Sequence, residues 1–213
     1  MNVYLDNAAT TPMDPQVLEA MLPFMRDNFG NPSSTHAFGR KTKTAIEKAR
    51  KTISSHLNCQ PGEIYFTSGG TEADNMALKC AVRDLGVKRI ITSPTEHKAV
   101  IESAELLKAQ FGIEVEYIEL DEVGRPRIEH LETLLQVDTP TIVSLMHANN
   151  EIGTKIDLVE FGNLCRKHGA YFHSDTVQTM GHYAFDLSTL PIDFITCAGH
   201  KFHGPKEIGR AHV

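Results

Sequence analysis

The chain has 213 residues, 41% of them hydrophobic and 23% charged, with a formal net charge of −6. This is enough apolar material for a packed core, in one large domain or one and a half small ones, and acids and bases are interspersed, so no basic stripe points to nucleic acid. Residues 1–6 lack the basic and apolar regions of a signal peptide, and no apolar run approaches membrane-spanning length; the expected location is cytoplasmic.

Cys59, Cys80, Cys165 and Cys197 are widely spaced without a C-x-x-C pair, which reads as reduced, structural thiols. Apolar runs alternate with amphipathic ones, without repeats, so the expected fold class is α/β with a mainly parallel sheet flanked by helices. Residues 1–13 read as irregular. Asp14 and Pro15 predict an N-cap followed by proline at the first helical position. Leu18, Met21, Leu22 and Met25 give that helix one apolar face, and Gly30-Asn31-Pro32 is expected to end it. Ile46, Ala49, Ile53 and Leu57 share one face of a second helix. Strands follow at 63–67, 89–92, 115–118, 141–146, 170–173 and 193–197. Helices fall at 71–84, 98–111, 128–135 and 158–167, with Gly112 and Gly169 as C-terminal caps.

In an open parallel sheet, ligands sit beyond the carboxyl ends of the strands. The candidate groups all lie there. Ser68-Gly69-Gly70-Thr71 opens a helix; its backbone amides, the Thr71 hydroxyl and a dipole worth about 0.3–1 kcal/mol suit a phosphate, although a Gly-Gly turn also serves simply as a turn. His97 follows the next strand and suits stacking on a ring, proton shuttling or helix capping. His147-Ala148-Asn149-Asn150-Glu151 offers amides for a carboxylate or a ring hydroxyl, or forms a polar turn. Asp175 ends a strand, as the partner of a pyridinium nitrogen or as an N-cap. Gln178 lies three residues on, within reach of a phenolic oxygen. Lys201 follows the last strand, where it can attack an aldehyde. A lysine placed after such an acid is the pairing that pyridoxal 5′-phosphate (PLP) requires.

Several longer motifs carry a family resemblance. They are Tyr-Leu-Asp-Asn-Ala-Ala-Thr-Thr-Pro at 4–12, Gly-Asn-Pro-Ser-Ser-Thr-His at 30–36, Thr-Ser-Gly-Gly-Thr-Glu at 67–72, Thr-Glu-His-Lys-Ala-Val at 95–100, Asn-Asn-Glu-Ile-Gly at 149–153 and His-Lys-Phe-His-Gly-Pro-Lys at 200–206. In this order they resemble the NifS/IscS-type cysteine desulfurases of the class V aminotransferase group. The forms at 33–36 and 201–205 are closer to NifS/IscS than to the SufS branch.

The resemblance implies the large domain of a PLP-dependent transferase of fold type I. It implies that Lys201 binds PLP as a Schiff base and moves the substrate proton, and that His97 stacks on the ring. Asp175 pairs with the ring nitrogen, Gln178 bonds the phenolic oxygen, and Gly70, Thr71 and His200 hold the phosphate. Asn150 places substrate and cofactor. The implied reaction takes L-cysteine to L-alanine and leaves an enzyme persulfide for an iron–sulfur scaffold or another sulfur acceptor. The implied assembly is a homodimer. A selenocysteine lyase or an aminotransferase is the neighbouring alternative. A metal module on His173, Asp175, His200 and His203 is a competing reading; it has one H-x-x-H spacing and lacks a second ligand pair, so no metal is expected. A non-catalytic interaction fragment is a third.

Two departures from the family stand out. Ala198 occupies a position where serine is common, at a cost of about 0.5–1.5 kcal/mol in phosphate binding. Past Lys206 the family continues with more sheet, a small domain, a mobile loop bearing the nucleophilic cysteine, and a substrate-binding arginine. Here Ile-Gly-Arg-Ala-His-Val at 208–213 matches one translation of a sequencing adapter, and Arg210 and His212 are expected to break the next strand. The expected organisation is therefore an irregular segment at 1–13, an incomplete PLP-binding domain at 14–206, a non-native tail at 207–213 with its junction at Glu207, and an absent small domain. The expected consequence is a fragment inactive in desulfuration, with an exposed sheet edge.

Overall fold

The computed structural model describes residues 1–206 and the backbone of residues 209–212. The junction expected at Glu207 lies outside them. Among the described residues, six α-helices run α1 (Pro15–Arg26), α2 (Ala37–Leu57), α3 (Gly70–Asp84), α4 (Lys98–Phe111), α5 (Ile128–Leu134) and α6 (Leu158–Lys167). Seven strands run β1 (Ile64–Thr67), β2 (Arg89–Thr92), β3 (Glu114–Tyr117), β4 (Thr141–Ser144), β5 (Tyr171–Asp175), β6 (Phe194–Ala198) and β7 (Gly209–His212).

The strands form one sheet in the order β1-β7-β6-β5-β4-β2-β3. Pairing is parallel from β6 through to β3, and β7 runs antiparallel to both its neighbours. The central strands β2, β4, β5 and β6 divide their side chains between two cores, because successive residues point to opposite faces. Ile90, Ile142 and Phe194 meet Ala77, Leu78 and Ala81 of α3 and Val100, Ala104 and Leu107 of α4. Ile91, Val143, Phe172 and Ile195 meet Leu57 of α2, Leu131 of α5 and Phe161 and Cys165 of α6. The chain passes from β2 outward to β3 and then back across to β4. The strand order thus reverses at β2, and the carboxyl ends there open a crevice.

Two expectations are corrected. Arg210 and His212 do not interrupt pairing: β7 is in register with Cys197 and Ala198 of β6 and with Phe66 and Thr67 of β1. A ladder uses main-chain N–H and C=O groups, which any non-proline residue supplies. The first helix ends at Arg26, four residues before Gly30, where the Asp27 amide closes onto Pro23 O. Its apolar stripe is not a core face, since α1 has no buried residue and Met25 is 68% exposed. Periodicity reports that a face is apolar and is silent on what packs against it. The parallel α/β class itself is what the alternating runs predict. Among the described residues no helix is long and apolar enough to cross a membrane.

Candidate active site

A cavity of about 520 Å³ opens at the carboxyl ends of β2, β4, β5 and β6. All eight residues singled out from sequence line it: Gly70, Thr71, His97, Asn150, Asp175, Gln178, His200 and Lys201. They come from the five connections that follow β1, β2, β4, β5 and β6, which the sheet gathers at one end.

At one side stands the start of α3. Its N-cap, Gly69, is extended and offers no side-chain cap to the first-turn amides. The Glu72 carboxylate accepts from the Ser68 amide at 2.5 Å, which fixes the turn and holds that carboxyl below its usual range. A Cβ at Gly70 would meet Val177 Cγ2 at 3.3 Å and Ala198 Cβ at 3.7 Å. The glycine therefore keeps the backbone open where β6 and the β5 loop close in, and Ala198 presents a methyl group to that corner.

Asp175 ends β5 and is 5% exposed. Its Oδ1 accepts from the Val177 amide at 2.8 Å, so it caps its own turn as well as lining the cavity. Burial pushes this carboxyl up; the Val177 bond and the facing His97 and Lys201 pull it down. His97 likewise has two roles, for its Nδ1 accepts from the Ala99 amide at 3.2 Å and caps α4. Asn150 sits beside Asn149, whose Oδ1 accepts from the amides of Glu151 and Ile152 at 2.8 and 3.0 Å and whose Nδ2 donates to Thr95 O at 2.7 Å. That side chain locks the β4 loop to the β2 loop.

Lys201 lies in a 3-10 turn, Gly199–Lys201, directly after β6. Its amine donates to Ala8 O and, at 2.9 Å, to Ala9 O. Partial burial lowers its pKa, opposed by Asp175 and Asp6. Gln178 donates to Ala8 O at 3.0 Å. His200 Nδ1 meets Thr10 Oγ1 at 3.1 Å.

Sequence reasoning missed the residue that anchors this turn. Thr11 is 6% exposed; its amide and hydroxyl both donate to His200 O at 2.8 Å, and its hydroxyl accepts from the His203 amide at 2.8 Å. The motif at 4–12 was visible, but a bond across 189 residues leaves no local signature. Asp74, Met146 and Asp6 also line the cavity and were not singled out.

The metal reading does not assemble. His173 is fully buried within the sheet, and His203 turns to Pro12 O at 3.0 Å. Among the described residues no group of three or more His, Cys, Asp or Glu side chains is placed to hold an ion, and no cysteine lines the cavity. Cys165 and Cys197 lie in the core on the α6 side of the sheet.

Comparison with known proteins gives this geometry a context. Cysteine desulfurase IscS of Dictyoglomus turgidum is 45% identical over 213 residues, covering 99% of this chain and 54% of that protein. Cysteine desulfurase IscS of Methanosarcina thermophila is 46% identical over 214 residues, covering 99% and 52%. A solved NifS-like protein superposes with a TM-score of 0.94 at 40% identity, covering 100% of this chain and 59% of the other. A solved structure of SspA in complex with cysteine superposes at 0.92 and 35% identity, covering 100% and 61%. The chain thus spans about half the length of the curated relatives it matches. The family profile described as Aminotransferase class-V matches residues 3–213, and the chain belongs to that family.

Proposed function

We propose that the whole protein is a PLP-dependent cysteine desulfurase, which takes sulfur from L-cysteine, leaves L-alanine and passes a persulfide to an iron–sulfur scaffold or another acceptor. The observation that carries this reading is the placement of Lys201 and Asp175 in one cavity beside the uncapped start of α3. The names of the relatives and the cysteine-bound neighbour support the substrate. A cytoplasmic homodimer is part of the same proposal.

The residues present fit PLP. The open first turn of α3, the Thr71 hydroxyl and His200 suit a phosphate dianion. A buried acid suits the cationic ring nitrogen, and a half-buried amine suits an aldehyde. When bound, PLP supplies an electron sink for carbon–sulfur bond cleavage.

The side chains divide the work around it. Asp175 holds a proton at the ring nitrogen, and the desolvated site strengthens that charge pair. Lys201 would hold the cofactor aldehyde and would serve to move the substrate proton; its lowered pKa enlarges the share of neutral amine at a given pH. His97, whose Nδ1 is tied to the Ala99 amide in the α4 cap, would cover one ring face. Gln178, which donates to Ala8 O, would donate to the phenolic oxygen, and Asn150 would orient the substrate carboxylate. The sulfur-accepting cysteine is supplied from outside the described lining.

The test uses the full-length gene product. Incubation with PLP followed by borohydride is expected to fix one adduct on Lys201, mapped by mass spectrometry, and L-cysteine is expected to yield alanine. An adduct on another lysine, or none, overturns the reading.

A further inference from the structure

Behind the cavity, the α3-facing side of the sheet is polar where a core is ordinarily apolar. Asp74 of α3 is 1% exposed and also lines the cavity. Its Oδ1 accepts from the Thr196 hydroxyl at 2.5 Å. His173, fully buried on β5, brings Nε2 to 3.6 Å from the same oxygen, and that nitrogen has no hydrogen-bond partner; Nδ1 meets Ser144 Oγ at 2.8 Å. Asp175 stands two residues further along β5, on the same face as His173.

The groups facing Asp74 are His173 and Asp175 from β5, Thr196 from β6 and Glu96 from the loop before α4. None is a cation in this setting, because burial drives the His173 ring down to about 3. The 3.6 Å approach is therefore a polar contact and not an ion pair. Asp175, in contrast, faces His97 and Lys201. Like charge on two buried carboxyl groups that act on one another is disfavoured, so a shared proton is the lower-energy state of the pair. The Lys201 amine faces Asp175 and is not among the groups facing Asp74, so Asp74 is the member that keeps the proton.

We propose that Asp74 is a positioning residue for Asp175: it holds a proton as a neutral carboxylic acid between Thr196 and His173, so that Asp175 carries the negative charge of the buried pair. Desolvation and the Asp175 charge both push the Asp74 carboxyl well above its ordinary 3.8. The unpartnered His173 Nε2 faces that carboxyl at 3.6 Å without a hydrogen bond to it. The consequence for the cofactor rests on the functional reading above: a ring cation docking on Asp175 meets one negative charge, fixed in place and not delocalised over two sites.

The test is an NMR titration of the carboxyl carbons in the full-length gene product, prepared without cofactor. Asp74 is expected to be protonated at pH 7 and Asp175 ionised. The pair is expected to titrate in two coupled steps in the wild type, and Asp175 in a single step in Asp74→Asn. An ionised Asp74 at pH 7, seen in the unmutated protein, overturns the proposal, as does an Asp175 curve identical in both proteins. The titration needs no cofactor, so a protein that behaves as expected and fails to take PLP defeats the functional reading alone.

Discussion

Lys201 and Gln178 share an acceptor, for both side chains donate to the carbonyl oxygen of Ala8, Gln178 at 3.0 Å. The N-terminal segment thus holds the amine on which the proposed chemistry depends, and reaction of that amine requires it to leave the segment. Its charge state follows from its surroundings. Burial lowers the Lys201 pKa below the ordinary 10.5, and Asp175 opposes the shift. Labelling of Lys201 by acetic anhydride, read by mass spectrometry against pH, is expected to show a midpoint below that of exposed lysines. Asp175→Asn removes the opposing charge and moves the midpoint lower still; an upward move contradicts the electrostatic account.

Asp175→Asn is also expected to weaken PLP binding. A buried charge-assisted hydrogen bond contributes about 1.5–3 kcal/mol, or roughly 10- to 150-fold in affinity. Gln178→Ala removes a neutral donor and is expected to cost less, about two- to tenfold. Absorbance titration of the full-length gene product with PLP measures both, and a larger loss from Gln178→Ala reverses the assigned roles.

Thr11 ties the N-terminal segment to the Lys201 turn through three bonds of 2.8 Å, two of them made by its hydroxyl. Thr11→Val keeps the shape, deletes the hydroxyl and leaves the His203 amide without its acceptor. The expected loss is about 1–3 kcal/mol in urea unfolding, together with weaker PLP capture. Unchanged affinity in a folded Thr11→Val protein removes Thr11 from the site.

How far the site was legible follows from these residues. Asp175, His97 and Lys201 each end or follow a strand, and both the strand and its end can be read from a short local window. Their capping alternatives were legible too, and for Asp175 and His97 the two roles coexist. Thr11 and Asp74 were not legible, because their partners lie 189 and 122 residues away. The strand β7 was masked by charge in its side chains, although its pairing is a matter of backbone. The bareness of α1 could not be seen either, since an amphipathic pattern is the same whether or not anything packs on it.

Gly162 on α6 tests the packing that holds β6. A Cβ there would lie 2.1 Å from Pro191 O, a backbone atom of the segment leading into β6. Helix and segment must separate to admit it. Gly162→Ala is expected to destabilise the fold by about 1–3 kcal/mol despite alanine's better helix propensity. A neutral or stabilising result in urea unfolding shows that the α6 contact yields without cost.

Stability against pH carries two opposing slopes. Burial drives His173 to about 3 and His147 to about 4 from an ordinary 6.5. Below pH 6.5 the unfolded chain takes up protons that these native side chains refuse, so their contribution, complete above 6.5, is lost as pH falls toward 3. Asp74 and Glu96 work the other way. Burial raises both well above 3.8 and 4.5, so the native state keeps protons that the unfolded chain releases. Their contribution is complete below those values and is lost as pH rises through the raised ones. Asp74→Asn removes one source of the second slope and leaves the first. Its urea midpoint relative to wild type is therefore expected to climb between pH 5 and pH 9, while His147→Gln gains relative to wild type between pH 6.5 and pH 4. A wild type and an Asp74→Asn protein whose midpoints stay parallel across pH 5–9 place the Asp74 carboxyl in the ordinary range, and the like-charge argument for a single anion at Asp175 falls with it.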